Sequence, residues 1–370
     1  MPLLRAPRAR ARLLLGSAAA VTAVSMLGSV ATAVPATAAD PVQQRASSGA
    51  ATRGLYGSQD PTYDGVYRQG LSIVALRTAH ARVQPAAVQW LLRQQCANGR
   101  WTSYRASLRQ PCAAGDTNAT ALAVIALAQL GRTKPARAGM AWLRSVQQAD
   151  GGWYFSSAYG TTSDVNSTTL ALQAALALGI APRTISNHGN DGYAYLRSML
   201  LRCSEPLPTR GALGFSTDSP TANDFATAPA LQGLARTTLP VAPARSWSAP
   251  ASRDCSGGRW GLSPKEATAS YLAARLRANP DGIPYTAGGV DVGTTANAVL
   301  GLVAAGTARG QVRAGLQVLR AQARAFVVSS GRTVPGSAAL LTLVAHATHG
   351  NPRSFAGLDL VQRIRGSIRP

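Results

Sequence analysis

The stretch DTNATALAVIALAQLG, Asp116–Gly131, is matched by DVNSTTLALQAALALG, Asp164–Gly179, and by DVGTTANAVLGLVAAG, Asp291–Gly306. Each opens with Asp, carries Thr four residues later, stays apolar for about three turns and stops at Gly fifteen residues after the Asp. A unit recurring on this scale means a repeat architecture. The chemistry of each unit is helical: the Asp carboxylate accepts from an orphan first-turn N–H and complements the positive end of the helix dipole. The Gly supplies the left-handed residue that ends the helix. Because the stretch between holds almost no charge, these helices are buried nearly all round.

Worn copies extend the pattern. Asn223 and Thr227 keep the spacing, although Pro229 is expected to disturb the turn after it. A copy begins near Asp64 with a one-residue shift, and one over Pro335–His346 has lost its Asp. A second helix type alternates with the first, marked by Trp90-Leu91, Trp142-Leu143, Tyr195-Leu196, Tyr271-Leu272 and Val318-Leu319, with Arg and Ser on the other face. These amphipathic helices belong on the outside. The chain is therefore expected to be all-α, with about six pairs of one buried and one amphipathic helix at steps of roughly 45–65 residues. Helices apolar on every side need neighbours on every side, so a closed α/α toroid of inner and outer rings is expected rather than an open superhelix.

Residues 1–38 are set apart as a secretory signal peptide. Arg5, Arg8, Arg10 and Arg12 precede an apolar stretch, and Ala36-Thr37-Ala38 forms a small-x-small cleavage site. An uncleaved membrane anchor is the alternative, because the apolar stretch is long. Residues 39–55 are assigned to a linker and 56–370 to the toroid. No later segment is long enough to span a bilayer. The implied location is extracellular. The formal net charge is +22, with Arg outnumbering Lys 35 to 2. The cations are scattered rather than gathered in a stripe with aromatics, which argues against nucleic acid. An anionic envelope polymer or membrane surface is the partner such a charge would draw. Four cysteines suit an oxidising compartment. Of three possible connectivities, Cys96–Cys112 and Cys203–Cys255 are expected, each pair bracketing a loop.

A second signature lies between outer and inner helices. Gln95-Cys-Ala-Asn-Gly99-Arg-Trp101 and Gln147-Gln-Ala-Asp-Gly151-Gly-Trp153 both fit Gln-x-x-x-Gly-x-Trp. Asp254-Cys-Ser-Gly-Gly258-Arg-Trp260 is a variant, and the stretches ending at Phe215 and Tyr285 are decayed forms. The Gly turns the chain and the aromatic folds back over the helix end. This resembles the QW repeat of the squalene cyclase and prenyltransferase repeat superfamily, whose members are α/α toroids. The resemblance covers nearly the whole mature chain. It implies a structural role, tying outer helices together, for Gln95, Gly99, Trp101, Gln147, Gly151, Trp153, Gly258 and Trp260. Triterpene cyclases of that superfamily carry an Asp-x-Asp-Asp acid, other members an Asp-Asp-x-x-Asp diphosphate motif or an Asp-Cys-His zinc trio; the chain contains none of these. Cobalamin-carrying toroids look similar around Tyr67-Arg-Gln-Gly70-Leu71 but add a β domain, and this chain has no counterpart. No cofactor and no metal site is expected, and His346 and His349 form only an isolated pair.

Parallel inner helices would gather Asp64, Asp116, Asp164, Asn223 and Asp291 at one end of the barrel, where the aromatic loops also empty. Such a mouth is where a ligand belongs, and Asp64, Tyr67, Asp116, Asn118, Asp164, Asn166, Phe225 and Asp291 are the candidate contacts. The competing reading makes the aspartates plain helix caps. Three functions follow: a non-catalytic binding protein for a small apolar or amphipathic ligand or an envelope polymer; an enzyme, either a degenerate terpene cyclase or a polysaccharide hydrolase or lyase built on the aspartates; or a structural envelope protein. Two carboxylates about 5–9 Å apart across an open mouth would favour glycoside hydrolysis.

Overall fold

Two alternating helix types account for the architecture. The computed structural model describes residues 51–109, 111–255, 260–285 and 288–370, so the expected signal peptide and most of the linker lie outside the described residues. The inner helices are α1 (Gly65–Thr78), α3 (Thr117–Gln129), α5 (Val165–Ala177), α7 (Asp224–Leu234), α9 (Val292–Ala305) and α11 (Pro335–Ala347). The outer helices are α2 (Pro85–Arg93), α4 (Thr133–Ser145), α6 (Gly192–Ser198), α8 (Pro264–Ala278), α10 (Arg309–Val327) and α12 (Leu360–Gly366). Each inner helix packs on the next in the series, and α11 packs back on α1, so the inner wall is a closed ring. Each outer helix packs on the inner helix that precedes it. The all-α class is as expected.

Burial follows the patterning. In α3 every residue from Thr117 to Leu127 is buried except Asn118. In α10 the buried residues are Val312, Gly315, Leu319, Ala323 and Val327, spaced three or four apart along one face. Pro229 does not break α7, which runs unbroken from Asp224 to Leu234. It removes one N–H from the ladder, and the packing of α7 between α5 and α9 holds the helix together. Two short antiparallel hairpins, β1 (Ser186–Asn187) with β2 (Asn190–Asp191) and β3 (Val328–Ser329) with β4 (Arg332–Thr333), trim the loops.

Both expected disulfides are present: Cys96–Cys112 and Cys203–Cys255 have Cα atoms 6.1 and 5.8 Å apart. The first described residues meet the C-terminal ones. Gly54 N–H donates to the Arg369 carbonyl at 3.0 Å, Arg369 N–H to the Leu55 carbonyl at 2.9 Å, and Tyr56 bridges Ile368. Residues 51–55, assigned to the linker from sequence, thus pack as part of the ring, with Leu55 fully buried.

One end of the ring is closed by the α7–α8 connection, which sequence reading passed over. Thr238 donates to the Gln173 carbonyl, the Leu239 carbonyl accepts from Gln129, and Ser248 exchanges hydrogen bonds with Gly306 and Thr307. This segment runs past the C-terminal ends of α3 and α9, with its own Val241 fully buried.

Candidate functional site

The open end is built by the segments that lead into the inner helices. In three of the inner helices a first-turn N–H is accepted by the loop that leads to the next inner helix: Val66 by Ser103, Thr117 by Phe155 and Val165 by Phe215, at 2.9–3.0 Å. Asp116, Asp164, Asn223 and Asp291 are N-caps, accepting from Ala119, Ser167, Ala226 and Thr294 at 2.7–2.9 Å. The second oxygen of each Asp is also taken, by Ser103, by Ser167 and by Thr294 respectively. Asp64 differs: it makes no cap bond and pairs with buried Arg68 at 2.9 Å. The aspartates of the mouth thus spend their acceptor capacity on their own scaffold.

Burial raises three of these carboxyls, Asp64 as well as Asp116 and Asp164. Asp116 and Asp164 are pushed up to about 6, against an ordinary 3.8, because desolvation outweighs the hydrogen bonds they accept. Tyr67 is pushed up to about 12, first by burial and then by the nearby Asp116 charge. The Asp116 and Asp164 carboxyls each lie between a backbone N–H and a serine hydroxyl, those of Ala119 and Ser103 at Asp116, and both of Ser167 at Asp164.

The lumen shows in the residues that stay part-exposed within otherwise buried helices. They recur two and six residues beyond the caps: Asn118; Asn166 and Leu170; Phe225 and Pro229; Gly293 and Asn297. That spacing is one helical face. On α1, with its one-residue shift, Tyr67 takes this place. The Oδ1 atoms of Asn118 and Asn166 are buried and have no hydrogen-bond partner. These are equivalent positions on neighbouring helices. Farther in, the amides of Gln173, Gln232 and Asn297 link in series at 3.2 Å each, forming a polar floor. Exposed aromatics stand around the same end: Phe225, and Phe155 stacked on Tyr159.

The Gln, Gly and Trp residues of the second signature serve the wall. Gln95 donates to the carbonyls of Gly99 and Pro135, and Gln147 to those of Gly151 and Ile185. Each Gln thus joins its own turn to the start of the next outer element. Gly99 and Gly151 have φ of +91° and +87°, and a Cβ at either would lie 2.4 Å from a backbone oxygen, of Ala138 or Asp191. Buried Trp101 and Trp153 donate their indole N–H to Leu91 and Leu143.

Sequence reading missed why Thr recurs four residues after each cap. The hydroxyls of Thr120, Thr168, Thr227 and Thr295 accept the backbone N–H of Trp101, Trp153, Leu213 and Ile283 at 2.9–3.0 Å. Two expectations are corrected by this register. Leu213 and Ile283, not Phe215 and Tyr285, stand where the other repeats have Trp. Trp260 follows no outer helix; it lies in the α7–α8 connection, before α8, and its indole N–H is unpartnered. Gly258 lies outside the described residues.

His346 and His349 come together with His80 around a cleft of about 370 Å³ at the closed end. Burial and the two neighbouring imidazoles hold His346 below its ordinary value. Among the described residues no three His, Cys, Asp or Glu side chains are placed to hold a metal ion. Nor is any described helix long and apolar enough to cross a membrane.

Residues 54–178, which contain α1 to α5, match the family described as squalene-hopene cyclase C-terminal domain. Over that segment the chain is similar to this family. No curated protein matches it. Among solved structures it is similar to a protein from Actinoplanes at 18% identity and TM-score 0.48, covering 80% of this chain and 83% of that one. It is also similar to the type II terpene cyclase MstE from Scytonema, at 16% identity and TM-score 0.47, covering 79% and 82%. A sugar epimerase from a ruminal bacterium is similar at 10% identity and TM-score 0.48, covering 82% and 98%.

Proposed function

We propose that this terpenoid cyclase-like chain is an exported, non-catalytic binding protein that holds a small amphipathic ligand in the open end of its barrel. The observation that carries this reading is the pair of orphaned Oδ1 atoms on Asn118 and Asn166. A buried acceptor without a partner is costly, and a repeated one at equivalent sites suits a ligand donor such as a hydroxyl or an amine. Tyr67 and Phe225, on the neighbouring inner helices, offer apolar surface for the rest of the molecule. Asp116, Asp164 and Asp291 cap their helices, which supports binding over hydrolysis.

One observation favours a second reading. Carboxyls with pKa near 6, as at Asp116 and Asp164, remain partly protonated around neutrality, as an acid catalyst requires. Against it, the oxygens of both are engaged by donors within the protein.

Native mass spectrometry of protein recovered from its own culture supernatant tests the proposal. A retained small molecule is expected, and it should be lost in the Asn118→Ala/Asn166→Ala variant while the fold survives. Retention in that variant would overturn the assignment of the site. Turnover of a prenyl or glycan substrate that stops in Asp116→Asn or Asp164→Asn would install the catalytic reading instead.

A further inference from the structure

A second concavity, of about 400 Å³, lies outside the barrel lumen. It opens where the C-terminal end of α7 meets the first turns of α6 and α8. Four cations line it, Arg183, Arg197, Arg236 and Lys265, and no carboxylate does. None of the four makes a salt bridge; the ion pairs among the described residues are Arg68–Asp64 and Arg275–Asp224. All four are exposed, so water screens their mutual repulsion, and an anion placed among them would be attracted by each.

Tyr193 holds one of these cations in place. It lines the same hollow, is 5% exposed, and its hydroxyl is buried with no hydrogen-bond partner. Arg236 lies over its ring at 5.6 Å, fixing the phenol and the guanidinium together. Arg236 itself has a φ of +57°, at the position after the helix where α3 and α5 have Gly131 and Gly179. The nearby acidic groups are occupied elsewhere. Asp191 caps α6 by accepting from Ala194, and Glu266 accepts from the backbone of Ser263 in a capping box.

We infer that this cleft binds a multiply charged oxyanion of the phosphate or sulfate type, gripped by Arg183, Arg197, Arg236 and Lys265, with the Tyr193 ring as the platform that holds Arg236. Guanidinium forks suit the tetrahedral oxygens of such a group. The volume has room for more than one such group, so a diphosphate or two adjacent phosphates of a larger molecule fit the charge. The site is separate from the lumen and stands whether or not the open end holds a ligand.

Calorimetric titration with inorganic pyrophosphate at low salt, paired with sedimentation on vesicles containing phosphatidylglycerol, tests this and separates free from membrane-held phosphate. Wild-type protein is expected to bind at least one probe. The Arg183→Ala/Arg236→Ala variant should weaken that binding by about tenfold or more, and Tyr193→Phe, which keeps the ring beneath Arg236, should leave it unchanged. The control Arg82→Ala/Arg132→Ala removes the same charge from exposed positions elsewhere and should leave binding unchanged. Circular dichroism should show all variants folded. Binding of neither probe, or an equal loss in the control, would overturn the inference. Since none of the substituted residues lines the lumen, a failure here leaves the proposed ligand of the open end untouched.

Discussion

At the residue scale, Asp116 and Asp164 carry the pH behaviour of the ring. Each has a folded pKa of about 6 against 3.8 in the unfolded chain. The folded state therefore binds more protons than the unfolded chain between those values. The stability this contributes is complete below about pH 3.8 and is lost as pH rises through about 6. Asp116→Asn keeps an oxygen to accept from Ala119 and cannot ionise. Its melting temperature, measured from pH 4 to 7, should fall less steeply than that of the wild type, with about half the slope left to Asp164; an unchanged slope would mean that Asp116 does not titrate there. Asn118 shows the opposite economy. Its carbonyl oxygen is buried and unsatisfied, so Asn118→Ala should stay within about 1 kcal/mol of wild-type stability, because a helix former replaces an unpaired polar group. A side chain that can be removed at no structural loss is one kept for something other than folding. The sequence hinted at this through the change from Asn to Phe225 and Gly293 at the same position, but could not show the orphaned oxygen.

At the scale of elements, the repeat joins each inner helix to the turn before it. The hydroxyl four residues after the cap accepts the N–H of the residue that closes that turn, Trp101 in one repeat and Trp153 in the next. Thr120→Val keeps the shape of the side chain and strands that buried N–H. Thr120→Val and Thr168→Val should each cost about 1–3 kcal/mol in chemical denaturation, whereas Thr133→Val, at an exposed position, should cost nothing measurable. Equal effects at all three sites would remove the special role of the repeat threonines. Asp, Thr and Gly were legible as a register because each recurs at a fixed offset within one helix. The partner of Thr was not legible, since Trp101 lies 19 residues upstream and Leu213 lies 14 residues upstream of Thr227. Leu213 and Ile283 were hidden for a related reason: the turn is held by its backbone, so the aromatic can be lost while the geometry stays. Trp260 misled because its local spacing imitates the turn, while its side of the outer helix is set by a long connection that no short pattern reveals.

At the scale of the molecule, a ring made from one chain has a seam, and the seam here is sewn by the two ends. Closure itself could be anticipated, because helices apolar on every side leave no other arrangement that keeps them dry. How the ends hold was not readable, because residues 51–57 and 367–370 look like ordinary tails. They pair through three backbone hydrogen bonds, Gly54 to Arg369, Arg369 to Leu55 and Gly57 to Ser367. The Arg369 side chain adds bonds of 2.6 Å to the carbonyls of Gly57 and Gln59. At about 1 kcal/mol for each bond, the seam contributes a few kcal/mol, set against the ordering of a few residues. Truncation after Gly366 should therefore lower the melting temperature by several degrees without unfolding the protein, with Arg369→Ala falling between the truncation and the wild type. Hydrogen exchange should speed up where the seam lies, in α1, α11 and α12, while α5 and α7 on the far side of the ring keep their protection. Exchange that rises evenly in all six inner helices would show that the wall opens as a unit. The ends would then be an ornament on a ring already closed by the packing of α11 on α1.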